Sequence, residues 1–249
     1  MKILSGILGL TLSSVVAFGT ANAADLSGGY KDGPAYAGFD WTGAYIGAHV
    51  GGASSDLAVT NLDNYTGAYK FSNKGNGVFG GGTLGYNLRA GSFILGVEGD
   101  LGSMDIGRTV VQPGSPGGDT KSSLGNGLYG DITARLGLPV GNALFYVKGG
   151  YAFYTGEASV FDNCNTGSCG DNLDQSNKSS TFDGWTAGCG LEYLVNPAWS
   201  IKGEYLHFDF GNQTVQFTGG ENWGNKLTVD SVKFGVNYHV GGRGYEPLK

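Results

Sequence analysis

The amino-acid sequence predicts an all-β fold, an eight-stranded antiparallel up-and-down transmembrane β-barrel with short periplasmic turns and four long extracellular loops. Glycine supplies 48 of the 249 residues, and because it costs roughly 1 kcal/mol per helix position relative to alanine, it argues against a helical domain. Apolar residues alternate with glycine and polar residues in eight segments, which is the pattern of β-strands. Short and long connections alternate between these segments, as they do in outer-membrane barrels.

Residues 1–23 have the features of an export signal peptide. Lys2 gives the positive start, a mostly apolar stretch follows, and Ala21-Asn22-Ala23 has the small-x-small form that signal peptidase cleaves. The alternative is a transmembrane anchor, but the apolar stretch is short and is broken by serine and threonine. Cleavage leaves 14 basic against 21 acidic side chains, and this net charge of −7 disfavours nucleic acid as a partner.

The mature chain divides into a leader, a barrel and a tail. Residues 24–40 show no apolar periodicity and are predicted to form a periplasmic N-terminal leader. Residues 41–240 suffice for one large barrel, and residues 241–249 follow it as a C-terminal tail. No later segment approaches the roughly 18 uninterrupted apolar residues of a membrane-spanning helix. If the protein sits in a membrane, strands must carry it.

Each of the eight predicted strands has one apolar row and one row of glycine, polar and charged residues. In chain order the strands cover residues 42–50, 78–88, 93–101, 128–138, 145–154, 187–195, 199–205 and 232–240. Side chains on a strand point alternately to opposite faces, so each row belongs to one face of the sheet. Charged residues avoid the apolar row throughout.

The connections between these strands are of two kinds. Three are tight turns in which Pro or Gly supplies special backbone angles, namely residues 89–91, 139–142 and 196–198. The other four run to about twenty residues and are rich in Asn, Asp, Gly, Ser and Thr, and they cover residues 53–75, 104–123, 156–181 and 209–225. Strict alternation of short and long connections is typical of an outer-membrane barrel.

The composition of the polar row indicates which face points inward. Its charges are few and nearly balanced, and they are Glu98, Asp100, Asp131, Arg135, Lys148, Glu192, Lys202, Glu204 and Lys233. A narrow eight-stranded barrel has room inside only for side chains that fill space and pair with one another. We therefore predict that these nine residues form a charge network in the lumen. The alternative is a secreted sandwich or lipocalin-like barrel, in which the polar row would face water.

The apolar row is then predicted to face lipid. Its representatives on the different strands are Ile46, Val97, Leu136, Val147, Leu191, Tyr205, Phe234 and Tyr238. Aromatic residues near the strand ends match the girdles at membrane interfaces, with Trp41, Tyr86, Phe93, Tyr193 and Trp199 at the turn side and Phe153 at the loop side.

The three cysteines fall in different environments. Cys164 and Cys169 lie in the third long loop, and export through an oxidising compartment favours a disulfide between them. A metal site is not predicted there, because no histidine is nearby. Cys189 lies on the apolar row as a lone thiol.

Two motifs resemble those of known outer-membrane proteins. The leader opens on Ala24-Asp25-Leu26, and residues 39–47 read FDWTGAYIG. This start resembles the FDWTGxYxG motif of the small alpha-proteobacterial outer-membrane porin-like proteins, which include surface antigens and heme-binding members. Residues 190–205, which contain Asn196-Pro197, resemble the hairpin between the sixth and seventh strands of the wider outer membrane protein A transmembrane family.

The resemblance implies a charge network that plugs or gates the lumen. Glu98, Arg135, Glu192 and Lys202 occupy the matching strand positions. Barrels of this kind usually end on an aromatic residue that the outer-membrane assembly machinery recognises. Here a tail follows Val240, and Phe234, Tyr238 or Tyr245 could substitute.

The predicted function is that of an integral protein of the cell outer membrane with a structural role in the envelope and a surface-exposed role. Expected partners are outer-membrane lipid, lipopolysaccharide and the assembly machinery. Two alternatives stay open, a small porin or channel and a surface receptor for heme or for a host ligand. Tyr65 and Tyr69 are the candidate loop residues for heme, and Phe217, Asn222 and Trp223 for another ligand.

An enzyme is not predicted, and no cofactor is expected apart from heme in that one alternative. His49 and His239 fall on the inner row, and His207 and Asp209 lie near the outer rim. A catalytic site would need a base beside a nucleophile and a third group that orients the base. The sequence shows no such arrangement.

Overall fold

The computed structural model describes residues 40–61, 70–111, 121–162, 174–216 and 222–240. The predicted signal peptide, nearly all of the predicted leader and the tail lie outside these residues, as do Tyr65, Tyr69, Cys164, Cys169 and Phe217. The described ranges form nine β-strands: β1 (Gly43–Asn61), β2 (Lys70–Ala90), β3 (Phe93–Asp105), β4 (Arg108–Val111), β5 (Lys121–Val140), β6 (Ala143–Asp162), β7 (Asp174–Asn196), β8 (Trp199–Gln216) and β9 (Asn222–His239).

These strands close into an antiparallel barrel. β1 pairs with both β2 and β9, and β3 pairs with both β2 and β5. β3 and β4 pair with successive parts of β5, so they are two parts of one barrel strand that is interrupted at Ile106 and Gly107. The barrel therefore has eight strands, which confirms the predicted fold class.

One end of the barrel carries the tight turns. They lie at Gly91–Ser92, Gly141–Asn142 and Pro197–Ala198. The second and third are inside the segments predicted for them, and the first overlaps its predicted segment and extends one residue beyond it. In the third turn the side-chain Oδ1 of Asn196 accepts hydrogen bonds from the backbone N–H groups of Ala198 and Trp199, at 2.9 and 3.0 Å. Asparagine commonly stabilises turns in this way.

At the other end the strands run further than the alternation predicted. β7 has 23 residues, whereas a strand needs only about 9–11 to cross a bilayer. Most residues of the four predicted long connections therefore belong to strands. The residues between one strand and the next at this end are 62–69, 112–120, 163–173 and 217–221. Backbone hydrogen bonds do not depend on side-chain polarity, so a polar segment can extend a ladder without the apolar row that marks a strand in sequence.

The sheet divides in two at this far end. β2 pairs with β3 only up to Val78 and Asp105, and β7 pairs with β8 only up to Trp185 and Asp209. Beyond these points β8, β9, β1 and β2 form one four-stranded sheet, and β4, β5, β6 and β7 form another.

The same Asp-x-Gly motif occurs at both divisions. Asp105 Oδ1 accepts a hydrogen bond from the backbone N–H of Gly107 at 3.4 Å, and Asp209 Oδ1 accepts one from Gly211 at 3.0 Å. The middle residue, Ile106 or Phe210, points inward and is 1% exposed. These local turns remove residues from the ladder, as β-bulges do, and so end the pairing with one neighbouring strand.

The described residues form two apolar clusters inside the barrel. The outer cluster lies where the sheet divides, and it includes Phe79, Met104, Tyr154, Phe182, Phe208, Phe210 and Leu227. The inner cluster lies at the end with the tight turns and consists of Trp41, Ile94, Leu144, Tyr146 and Leu194. The predicted position of Trp41 in an interfacial girdle is wrong, because its side chain is fully buried inside the barrel. Trp41 precedes β1, so the alternation of the strand does not fix its direction.

Replacing Gly211 by Ala is expected to lower the free energy of unfolding by about 1–2 kcal/mol. Gly211 has a φ of 67°, and residues with a Cβ atom are strained in this left-handed conformation. The measurement is urea unfolding of the refolded protein in lipid vesicles. Gly203→Ala is the matched control on β8. A Cβ at Gly203 would make only ordinary contacts with Phe234, at 3.7 Å, and should change stability by less than about 0.5 kcal/mol. Equal losses in both variants would contradict this account.

Candidate functional site

All nine charged residues predicted for the lumen lie inside the barrel. Each is between 0% and 4% exposed, and they come from β3, β5, β6, β7, β8 and β9. Inward-facing glycines make room for the aromatic rings among them. A Cβ at Gly85 would lie 2.2 Å from Cζ of Tyr45, and one at Gly190 would lie 2.6 Å from Cζ of Tyr146. The glycine content of the inner row is therefore part of how the site is built.

Glu98 on β3 lies within ion-pair distance of three cations, as Glu204 does on β8. Its Oε1 lies 2.6 Å from Nζ of Lys148, and its Oε2 lies 2.9 Å from Nζ of Lys202 and 3.3 Å from Nη1 of Arg135. The hydroxyl of Tyr45 donates a further hydrogen bond to Oε2 at 2.8 Å. Three cations from three other strands thus meet at one carboxylate.

Asp100 and Glu204 share two lysines on the outer side of Glu98. Lys233 Nζ lies 2.5 Å from Asp100 Oδ2 and 2.6 Å from Glu204 Oε2. Lys148 Nζ lies 3.4 and 3.1 Å from the same two oxygens. Such pairing is what makes buried charges tolerable, because an isolated buried charge is very costly.

Arg135 and Glu192 extend the network toward the end with the tight turns. Arg135 Nη2 donates a hydrogen bond to Glu192 Oε2 at 2.8 Å, and the guanidinium carbon lies 4.5 Å from the ring centre of Tyr146. Glu192 Oε1 accepts hydrogen bonds from Ser200 Oγ at 2.5 Å and from Asn237 Nδ2 at 2.7 Å. This carboxylate is therefore satisfied by one cation and two neutral donors.

Asp131 on β5 differs from the other four carboxylates. It is 3% exposed and lies directly opposite Asp100 of β3 in the ladder. Neither of its oxygens has a hydrogen-bond partner among the side chains that the structure describes. The structure thus places all nine predicted residues in the lumen and brings eight of them together by ion pairs.

A metal would have to compete with these lysines. Oxygens of Glu98, Asp100 and Glu204 lie within 4.8 Å of one another, which is a spacing that a metal ion could bridge. The ammonium groups of Lys148 and Lys233 already contact these oxygens. The arrangement therefore favours internal charge compensation over metal binding.

Neutral side chains of the network were missed as site residues by the sequence analysis. Besides Tyr45, Ser200 and Asn237, they include Tyr146, which donates to Glu204 Oε1 at 2.5 Å, and Thr83, which donates to Asp100 Oδ1 at 2.5 Å. His49 links Thr83, at 2.9 Å, to the hydroxyl of Tyr129. Their common signal is position, because each falls on the same face of its strand as the charged residues.

The eight residues predicted to face lipid all lie on the outer face of the barrel. Their exposed fractions range from 42% for Tyr238 to 63% for Phe234. Cys189 also lies on this face as a free thiol. Over the ranges given above, the structure holds no helix that is both long enough and apolar enough to cross a membrane.

A closed barrel with an apolar outer face and charged residues inside belongs to the class of outer-membrane β-barrels. The model of the family described as outer membrane protein beta-barrel domain matches residues 11–239, and the chain belongs to this family. This match confirms the predicted localisation in the cell outer membrane.

Individual relatives agree with the family. The chain is 29% identical over 209 residues to a 31 kDa outer-membrane immunogenic protein of Brucella melitensis, over 80% of this chain and 84% of the relative. It is 28% identical over 200 residues to a 22 kDa outer membrane protein of Rhizobium leguminosarum, over 79% and 76%. These matches confirm the resemblance to alpha-proteobacterial outer-membrane proteins. Among solved structures, the outer membrane protein OprG of Pseudomonas aeruginosa gives a TM-score of 0.47 at 11% identity, over 82% of this chain and 99% of that one.

Proposed function

We propose that this outer-membrane barrel is a structural and surface-exposed component of the envelope and that its lumen does not conduct ions. The observation that carries the proposal is the filling of the lumen at three successive levels. The inner apolar cluster with Trp41, the charge network around Glu98 and the outer apolar cluster with Phe208 follow one another along the barrel.

Burial supports a closed lumen. The central side chains of all three levels are at most 6% exposed, and eight-stranded barrels leave room for side chains but not for a water-filled channel. An ion that entered the network would have to separate pairs such as Lys148 and Glu98, whose charged atoms are 2.6 Å apart. This cost is large because the low polarity of the surroundings strengthens the interaction between the partners.

The outer face supports an anchoring role in lipid. On β3 the exposed apolar residues run from Phe93 to Leu101, and nine strand residues tilted in a barrel span roughly 20–25 Å, close to the apolar band of outer-membrane barrels. Trp199 and Tyr238 pack at 5.1 Å between ring centres near the end with the tight turns, as expected of an aromatic girdle. We propose that lipid and lipopolysaccharide contact this band.

The part of the barrel beyond the band is proposed to present the connections at the cell surface. The two four-stranded sheets share the outer apolar cluster, which gives the projecting part a core of its own. That Brucella relatives are named outer-membrane immunogenic proteins supports surface exposure. The heme-receptor alternative depends on Tyr65 and Tyr69, which lie outside the described residues, and no described feature favours it.

Planar-bilayer recordings on the refolded protein test the closed lumen. We expect no stable conductance steps, and a slower or faster migration of unboiled than of boiled protein on a gel verifies that the recorded material is folded. Stable steps whose size changes in Glu192→Gln or Lys202→Met would instead establish the small-channel alternative. Both substitutions alter a charged atom that is part of the network, at 2.8 and 2.9 Å from its partner.

A further inference from the structure

Within the described residues, the lumen contains one more buried carboxylate than it contains buried lysine and arginine side chains. Among the described residues, five buried carboxylates face four buried lysine and arginine side chains, and the fifth carboxylate is Asp131. The other four each lie within 3.5 Å of at least one cation, whereas Asp131 has no ion-pair partner among the described side chains. With Asp131 neutral, the described network would be balanced at four charges of each sign.

The surroundings of Asp131 make a bare negative charge costly. It lies opposite Asp100 in the ladder between β3 and β5, and directly opposed residues of an antiparallel pair have their Cβ atoms only about 5 Å apart. Its other ladder neighbour is Ala152 on β6, a residue of the outer apolar cluster. Like charges that share a buried site do not both ionise readily.

The lysines of the network are already committed to other carboxylates. Lys148 contacts Glu98, Asp100 and Glu204, and Lys233 contacts Asp100 and Glu204. The titratable and charged side chains that face this part of the lumen are His49 of β1, Glu98 and Asp100 of β3, Tyr129 and Arg135 of β5, Lys148 and Tyr154 of β6, Glu204 and Lys202 of β8, and Lys233 of β9. None of them forms a hydrogen bond with Asp131.

A metal cation is a poor candidate for the missing positive charge, because it would need several oxygen ligands at once. The nearby hydroxyls are engaged: Thr133 donates to the backbone oxygen of Glu98 at 3.3 Å, and the hydroxyl of Tyr129 contacts His49. A proton needs only the carboxylate itself.

From this geometry we propose that Asp131 is a proton-binding site of the lumen, held as the neutral carboxylic acid at neutral pH. One O–H bond forms at a carboxylate oxygen of Asp131, and the proton comes from a hydronium ion, which becomes water. The bound proton removes the one uncompensated charge beside Asp100. This site does not depend on whether the lumen conducts ions, so the bilayer experiment can fail without affecting it.

Infrared spectroscopy of the refolded full-length protein in vesicles tests the proposal. The wild-type protein at pH 7 is expected to show the C=O stretching band of a protonated carboxyl group, which shifts in D₂O. Asp131→Asn should remove this band, while Asp183→Asn, which changes an exposed aspartate on the outer face, should leave it unchanged. A wild-type spectrum without such a band overturns the proposal, and it does so even if the Asp131 variant fails to fold.

Unfolding measurements give a second readout. Above about pH 4 an aspartate of the unfolded chain is ionised, whereas the folded protein would still hold the proton of Asp131. The folding equilibrium constant of the wild type should therefore fall by up to about tenfold per pH unit relative to Asp131→Asn as the pH rises from about 4 to 7. Equal pH dependence in the two proteins would contradict the proposal. The same measurement can be repeated with Na⁺ in place of N-methylglucamine. If Na⁺ stabilises the wild type but not Asp131→Asn, Asp131 binds a metal cation instead of a proton, and the proposal is wrong.

Discussion

Replacing Glu98 by Gln is expected to lower the free energy of unfolding by about 3–5 kcal/mol, the usual cost of removing one partner from a buried ion pair. Glu98 lies within 3.3 Å of Lys148, Lys202 and Arg135. The amide has the same size as the carboxylate but carries no negative charge. The three buried cations around it would therefore have fewer negative charges to balance them in surroundings that water does not reach. Urea unfolding in lipid vesicles, followed by tryptophan fluorescence, measures the change.

The matched control is Asp56→Asn. Asp56 and Lys74 form an ion pair of 3.9 Å on the outer surface, where the two side chains are 42% and 79% exposed. Exposed pairs contribute only about 0–1 kcal/mol, so this variant should unfold almost like the wild type. Adding Lys148→Met to Glu98→Gln should recover part of the loss, since the second change removes one of the stranded cations. A Glu98→Gln variant as stable as the Asp56→Asn variant would show that the network does not stabilise the fold.

The position of the charges could be predicted from sequence, but their pairing could not. The two-residue period of a strand assigns every side chain to one face, so Glu98, Arg135 and Lys202 could each be placed inside without knowing the barrel. Which cation meets which carboxylate depends on how far the strands slide past one another around the barrel. Lys202 reaches Glu98 across 104 residues of sequence, from a strand that is not paired with β3.

The ends of the strands were not predicted because the apolar row changes face along a strand. It points outward near the end with the tight turns and inward at the far end. On β8 the apolar side chains Ile201 and Tyr205 point outward, whereas Leu206, Phe208 and Phe210 point inward and are each 1% exposed. Between the latter three stand His207 and Asp209, which are polar and lie on the outer face.

This reversal has a physical cause. An outer wall in lipid must be apolar, and a wall in water can be polar if its inner side supplies an apolar core. The predicted connection began at residue 209, within β8, although the reversal itself is visible in the sequence. β9 shows the same change, since Val232 and Phe234 point outward while Leu227 and Val229 are buried. These two strands therefore place the outer edge of the membrane near Tyr205 and Val232.

Replacing Val97 by Arg is expected to lower the free energy of unfolding in vesicles by about 2–4 kcal/mol, as for a charge on the lipid face at the middle of the bilayer. Val97 is 59% exposed and lies midway along the apolar run of β3, between Leu95 and Leu101. The loss arises because the guanidinium must leave water for acyl chains. A soluble barrel would tolerate the same change within about 0.5 kcal/mol, since the site is on its surface.

Ser103→Arg on the same strand and the same face is the matched control. Ser103 is exposed and lies next to Met104, whose side chain is in the outer apolar cluster, so it belongs to the part of β3 beyond the lipid band. The destabilisation by a charged side chain falls from the middle of the bilayer toward its edge, so the expected loss in the free energy of unfolding for Ser103→Arg is about 0–1 kcal/mol. Two exposed positions on one strand should differ in this cost only if one lies within the membrane and the other lies beyond it. Equal and small losses at Val97 and Ser103 would place both in water, and the assignment of the apolar face to lipid would be wrong.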